Sequence, residues 1–450
     1  MAKTSRALIT ALLLVPLFAS AANVHVRPGS SGSGASWSDA LGSLPATLKR
    51  GDTYYLASGN YGRYTFDDPV SGTTPIIIKK ATSEDHGSDV GWNSSYGEGQ
   101  AVFGEITVLT GYYIIDGQRR NADWWKGATS QYGIKIKASG GRAVRLDNGG
   151  SSGANNVTFR YVDIEGNGRD TGIGDDAIYG LAGNSNMTFE YCAIHDTDRT
   201  LFLMRGNWRN LVVNSCYLAR NTSTDAIHGE LLSSTDVTNM TFVNNVIEDI
   251  EGTAVWAGLN NGTWSGVLIQ GNVITHTPTY RTGRNMRAGS GSGVAAVVYV
   301  ANDSSNRNSA NNVKFYNNTL VNVRGLWGGV HIESGSGNES RGNIWYNSPR
   351  LGTAGVSVHS SNWYYNTQQD GDNSSSKVVC SSNCDIFVSI ADKDYRLKAP
   401  LPGERLETPY MSDAFGSVRG SDGTWDRGAF EFGGKSAAVS VPKAPSLSVE

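Results

Sequence analysis

Four stretches decide the fold: "NVTFRYVDI" (156–164), "NMTFEYCAI" (186–194), "NMTFVNNVI" (239–247) and "NVKFYNNTL" (312–320). Each alternates apolar and polar residues, breaks at a polar step and resumes with a further apolar pair. Looser copies are "NLVVNSCYL" (210–218) and "GVLIQGNVI" (266–274), so that successive starts differ by 30, 24, 29, 27 and 46 residues. A strand-bearing repeat this short cannot bury its own apolar face and must stack on its neighbours. The class is therefore all-β, a solenoid.

The column after the polar break reads Val162, Cys192, Cys216, Asn245, Asn272, Asn318, Asn343. Coils stack about 4.8 Å apart, so asparagine side chains in this column can donate and accept along the axis. Cys192 and Cys216 share the column and read as small buried packing residues rather than a redox pair.

The stacked units with their asparagine column resemble the right-handed parallel β-helix of the pectate-lyase-like superfamily, over residues 100–350. "DYRLKAP" (394–400) and "DRGAFE" (426–431) resemble the closing segment of secreted bacterial β-helix proteins. "SWSDALGSLPATLKRGDTYYLASGNY" (36–61) resembles their opening, where a short amphipathic helix caps the apolar end of the stack. The expected organisation is a signal peptide at 1–22, a capped β-helix domain at 23–433 and a linker-like tail at 434–450. The signal peptide rests on Lys3 and Arg6 before the apolar run "ALITALLLVPLF" and small residues at the cleavage site. Export is expected, with no membrane span, and a short-loop disulfide between Cys380 and Cys384 would suit it.

The formal net charge is −3 with 18% charged residues, which gives no general attraction for nucleic acid. The chain is expected to act as a monomer on a polysaccharide. A second aligned strand gives the outward column Arg145, Tyr179, Phe202, His228, Trp256, Tyr299, His331, and a further outward column that includes Glu230 and Glu333. Aromatic faces suit sugar rings, so Tyr179, Phe202, Trp256 and Tyr299 are expected to line a groove, with His331 and Glu333 beyond them. The insertion at 275–293 carries Arg281, Arg284 and Arg287, and with Arg205 these would bind carboxylate or sulfate groups.

Within "DAIHGE" (225–230), His228 and Glu230 are expected to face outward as proton-transfer groups. Asp176, Arg199 and Asp225 precede successive strands and would form a ladder of alternating charge. "GDDAIYG" (174–180) resembles the Gly-Asp-Asp segment of polygalacturonases, which would make Asp175 and Asp176 catalytic. No metal site is built by His228, Glu230, His331 and Glu333, because three coils, about 14 Å, separate the histidines. Calcium is the one cofactor the sequence admits, at Asp170, Asp175 and Asp176, against an ordinary Asp/Gly turn.

The resemblance implies a glycan-active protein. The leading expectation is a lyase cleaving a uronate-containing chain by β-elimination, with His228 or Tyr179 moving the proton and Arg199, Arg205 and the 281–287 arginines neutralising the carboxylate. A glycoside hydrolase pairing Glu230 with Asp225 or Asp176 is the alternative. A non-catalytic glycan-binding or adhesin solenoid is the third.

Overall fold

The computed structural model describes residues 21–147, 153–181, 183–222, 229–280, 296–304, 307–323, 328–348, 354–368 and 372–433. Every pairing in its 29-stranded sheet is parallel and joins one coil to the next. The pairings run along three ladders, so each coil contributes three strands to three lengthwise faces. The chain is a parallel β-helix.

One coil shows how the sequence makes it. Ile178–Gly180 lies on the first face, Ser185–Glu190 on the second and Ala193–Thr197 on the third. Between the second and third strands, Tyr191 has φ +57°, and its counterparts Tyr161, Ser215, Asn244 and Asn317 are also left-handed. This corner turns the chain by one residue in each coil. It is the polar step visible in the repeats, because asparagine tolerates that conformation better than β-branched residues.

The three strands bury their alternate residues around one axis. The third face sends Ile136, Ile164, Ile194, Leu218, Ile247, Ile274, Leu320 and Trp345 inward in strict register. From the second face, Phe159 and Phe189 stack at a centroid distance of 5.0 Å. The rings of Phe189, Phe202, Phe242 and Trp256 then follow edge to face along the axis.

The asparagine column forms as expected. Asn245 Nδ2 donates to Asn272 Oδ1 at 2.9 Å, and Asn272 Nδ2 donates to Asn318 Oδ1 at 2.9 Å and to the Phe242 carbonyl at 3.0 Å. Cys192 and Cys216 continue the column as free, buried thiols. Asn272→Ala should cost about 2–5 kcal/mol in a urea melt, because it strands the Asn245 amide and the Phe242 carbonyl away from water. Asn272→Cys, the chemistry already used at Cys216, should cost visibly less.

The apolar end is capped without the short helix expected within 36–61. Leu44 and Leu48 close the core against Val26 and Tyr54 from a run of turns. The one α-helical turn near this end is Ser95–Glu98. Capping needs two leucines at the right depth, and a turn-rich segment with Gly42 and Pro45 supplies them. The far side of the third face is covered by the closing segment, whose Phe387, Tyr395, Leu397 and Phe430 pack on Tyr217, Val246, Val273 and Ile344. Cys380 and Cys384 are joined by a disulfide.

Candidate active site on the first face

Register on the first face places the site. The outward column is Thr65, Thr107, Arg145, Tyr179, Leu203, Ser233, Ala257, Tyr299, His331. Three of its coils differ from expectation. Ile178 pairs with Phe202, Phe202 with Leu232 and Leu232 with Trp256. Phe202 and Trp256 therefore point into the core, where they are 1% and 0% exposed, and neither can stack on a sugar. Alternation fits two registers when the residue just before the large ring is also apolar, as Leu201 is before Phe202 and Val255 before Trp256. The core takes the larger ring.

The same correction moves Glu230. Its coil begins its first-face strand at Leu232, so Glu230 lies in the turn before it and not on the outer surface. It is sealed from solvent and accepts a hydrogen bond from Thr253 Oγ1 at 2.9 Å. Asp225, His228, Arg281, Arg284 and Arg287 lie outside the described residues.

What the fold does bring together is a cluster around Tyr179. Arg142 lays its guanidinium over the Tyr179 ring at 3.7 Å, with Arg145 at 5.9 Å from the same ring. Arg142 also reaches Asp175 at 3.5 Å and Asp176 at 3.6 Å, and Arg199 reaches Asp176 at 3.6 Å from the next coil. Arg205 lies within electrostatic reach of Arg199, Asp176, Glu230 and Tyr179, and burial, with Arg199 beside it, lowers its pKa. The charge ladder expected between Asp176 and Arg199 is present, and Arg142 extends it by one coil. That extension was readable, since Arg142 precedes "AVRLD" just as Asp176 precedes "AIYGL".

The cluster has a vertical order. The carboxylate of Asp176 is at the bottom with no exposure, and the guanidinium groups of Arg142 and Arg199 lie above it, each about a quarter exposed. Arg142 and Arg145 also line an adjoining cleft of about 390 Å³ with Arg63, Tyr64, Thr65, Glu105 and Thr107. Anions reaching this face meet cations first. Tyr299 and His331 remain outward but lie four and five coils beyond Tyr179, so at least about 19 Å away. There His331 Nε2 sits 3.1 Å from Glu333 Oε1. Between them the column runs through Leu203, Ser233 and Ala257, all buried. The continuous aromatic strip expected from the sequence is not formed.

The Asp-rich turn does not make a calcium cradle. Asp175 and Asp176 face arginines, and among the described residues no three His, Cys, Asp or Glu side chains converge as metal ligands.

Burial raises the Asp176 carboxyl to about 6, with Arg199 and Arg142 only partly offsetting it. A raised carboxyl favours folding most below its unfolded value near 3.8, and this contribution is lost as pH rises through about 6. The ionised form is also the one that holds Arg142 and Arg199 in place. Activity should therefore rise with pH around 6 as overall stability loses this one contribution. In Asp176→Asn that limb of the pH–rate profile should flatten, and an unchanged limb would remove Asp176 from the site.

No protein-family model and no curated protein matches the chain. Among solved structures, pectate lyase Pel9A is similar at 15% identity and a TM-score of 0.48, over 92% of this chain and 97% of that chain. PL6 family alginate lyase AlyGC is similar at 12% identity and a TM-score of 0.32, over 80% of this chain and 53% of that chain. The A-module of Azotobacter vinelandii mannuronan C-5 epimerase AlgE4 is similar at 13% identity and a TM-score of 0.25, over 73% and 91%. At these identities the likeness is one of fold.

Proposed function

We propose that the protein is a polysaccharide lyase cleaving a uronate-containing glycan by β-elimination. The observation that carries this is the placing of Arg142 and Arg145 over the outward ring of Tyr179, with Arg199 joined to Arg142 through Asp176 and Arg205 within electrostatic reach of both Tyr179 and Asp176.

Elimination removes the proton on the carbon beside the uronate carboxylate. Charge then spreads into that carboxylate, the bond to the leaving sugar oxygen breaks, and a proton is delivered to that oxygen. Guanidinium groups bind a planar carboxylate through paired hydrogen bonds, and they stabilise it most when its charge grows. Arg142 and Arg145 face the cleft and take this role. Tyr179 moves the proton, and His228 is the second proton carrier that the sequence offers. Asp176 and Glu230 are positioning residues, because neither reaches solvent. Their burial also weighs against the hydrolase reading, which needs two carboxylates at the glycosidic bond.

We propose further that the protein is exported. The basic start and apolar run of the sequence support this, as does the disulfide, a bond that persists in oxidising compartments.

A substrate panel tests the function. A polyuronate should lose viscosity on incubation, and the same polymer with its carboxyl groups reduced to alcohols should not. Equal cleavage of the reduced polymer would overturn the reading, and absence of cleavage of any uronate polymer would favour the binding solenoid.

A further inference from the structure

A second constellation lies across the solenoid from the first face, at the corner joining the second and third faces. The closing segment 409–416 passes over that corner and leaves a cavity of about 460 Å³. The loop between Asp116 and Ile134 forms its other wall. Arg120, from this loop, is the central feature. Its guanidinium stacks 3.9 Å from the Trp124 ring centroid and 4.8 Å from that of Tyr191. It donates Nη1–H to the Ser215 carbonyl, the one hydrogen bond it makes among the described residues. A guanidinium carries five donor hydrogens.

Arg120 has no carboxylate partner among the described residues. The groups that act most on its charge beyond burial are Tyr132, Cys216, Tyr161 and Tyr191, none of them a carboxylate. Asp413 also lines the cavity, but its oxygens accept the Phe415, Ser417 and Glu431 amides. Burying a cation without a counter-charge is costly. Here the Trp124 and Tyr191 rings flank it, and it lines the cavity with donors to spare beyond the one given to Ser215.

The rest of the lining adds partly exposed aromatic surface from Tyr191, Tyr410 and Phe415 and amide groups from Asn214 and Asn244. A planar cation, aromatic walls and side-chain amides make a site for a small ring that bears both hydroxyls and an anionic group. We propose that this corner cavity is a second binding site, separate from the first-face cluster, that takes a carboxylate-bearing sugar residue on Arg120.

The proposal does not depend on the lyase reading, and the test separates the two. The full-length protein is titrated calorimetrically with glucuronate and galacturonate monosaccharides, and with glucose as the uncharged control. At least one uronate should bind saturably, and glucose at least about tenfold more weakly, the loss expected when a charge-assisted pair is removed. Arg142→Ala, which alters the first face, should leave this binding unchanged. Arg120→Gln should weaken it at least about tenfold and leave cleavage of a polyuronate as it was. Arg120→Lys keeps a cation between the rings and should give an intermediate loss, so the test survives if the glutamine variant does not fold. The proposal is overturned if neither uronate binds the wild-type protein. It is equally overturned if binding is lost in Arg142→Ala and kept in a folded Arg120 variant, since the uronate would then be seated on the first face.

Discussion

Tyr179→Phe should lower turnover on a polyuronate by about 10²–10⁴-fold, the range that a positioned proton-transfer group contributes. The change deletes one oxygen and leaves the ring under Arg142, so the guanidinium keeps its seat and KM should move little. The Tyr179 side chain faces outward, and its strand is held by Ile178 pairing with Val144 and Phe202 on either side. The thermal midpoint should therefore stay within a few degrees of the parent. Arg142→Ala should behave differently. It removes a group that meets the uronate carboxylate and covers Tyr179, so both kcat and KM should suffer, with about 10²–10³-fold lost from kcat. A Tyr179→Phe enzyme retaining half its activity would take the hydroxyl out of the chemistry.

Trp256→Ala should destabilise the fold by about 3–5 kcal/mol, as expected when a large buried aromatic is emptied from a core. Trp256 has no exposed surface and packs edge to face on Phe242 at 5.5 Å. Its Nε1–H is buried with no hydrogen-bond partner among the described residues. Trp256→Phe, which removes that donor and keeps an aromatic ring, should cost less than the alanine change because it leaves a smaller cavity. Chemical denaturation of the three proteins separates the two placements of this residue. A tryptophan on a sugar-binding surface would leave stability unchanged and raise KM when truncated.

The contrast between Tyr179 and Trp256 shows how far the sequence was legible. The solenoid was readable because two independent signals agreed, the alternation of apolar residues and the recurrence of asparagine after each polar break. The second and third faces therefore came out in register, and the hydrogen bonds from Asn245 through Asn343 follow the predicted column. On the first face only alternation was available. Where an apolar residue stands just before the large ring, as Leu201 and Val255 do, alternation cannot choose between neighbouring registers. The choice rests on which ring the core can hold, a property of the adjacent coils. "AIHGE" misled for a related reason, since the strand that stacks in that coil starts after Glu230.

The site was partly legible. Asp176 and Arg199 come together because residues before successive aligned strands lie above one another, and Tyr179 and Arg205 join them from the strands themselves. Arg142 and Arg145 were visible in the same alignment, and their weight comes only from the Tyr179 ring and the cleft that they line. The burial that sets Asp176 apart depends on packing around it, which no local pattern reports.

The most direct test of the account is the chemistry of the new chain end. A polyuronate incubated with the protein should yield oligosaccharides ending in an unsaturated uronate, seen as rising ultraviolet absorbance in step with new reducing ends. New reducing ends without that absorbance would mean that water, not elimination, cleaves the chain, and would contradict the role given to the Tyr179 cluster.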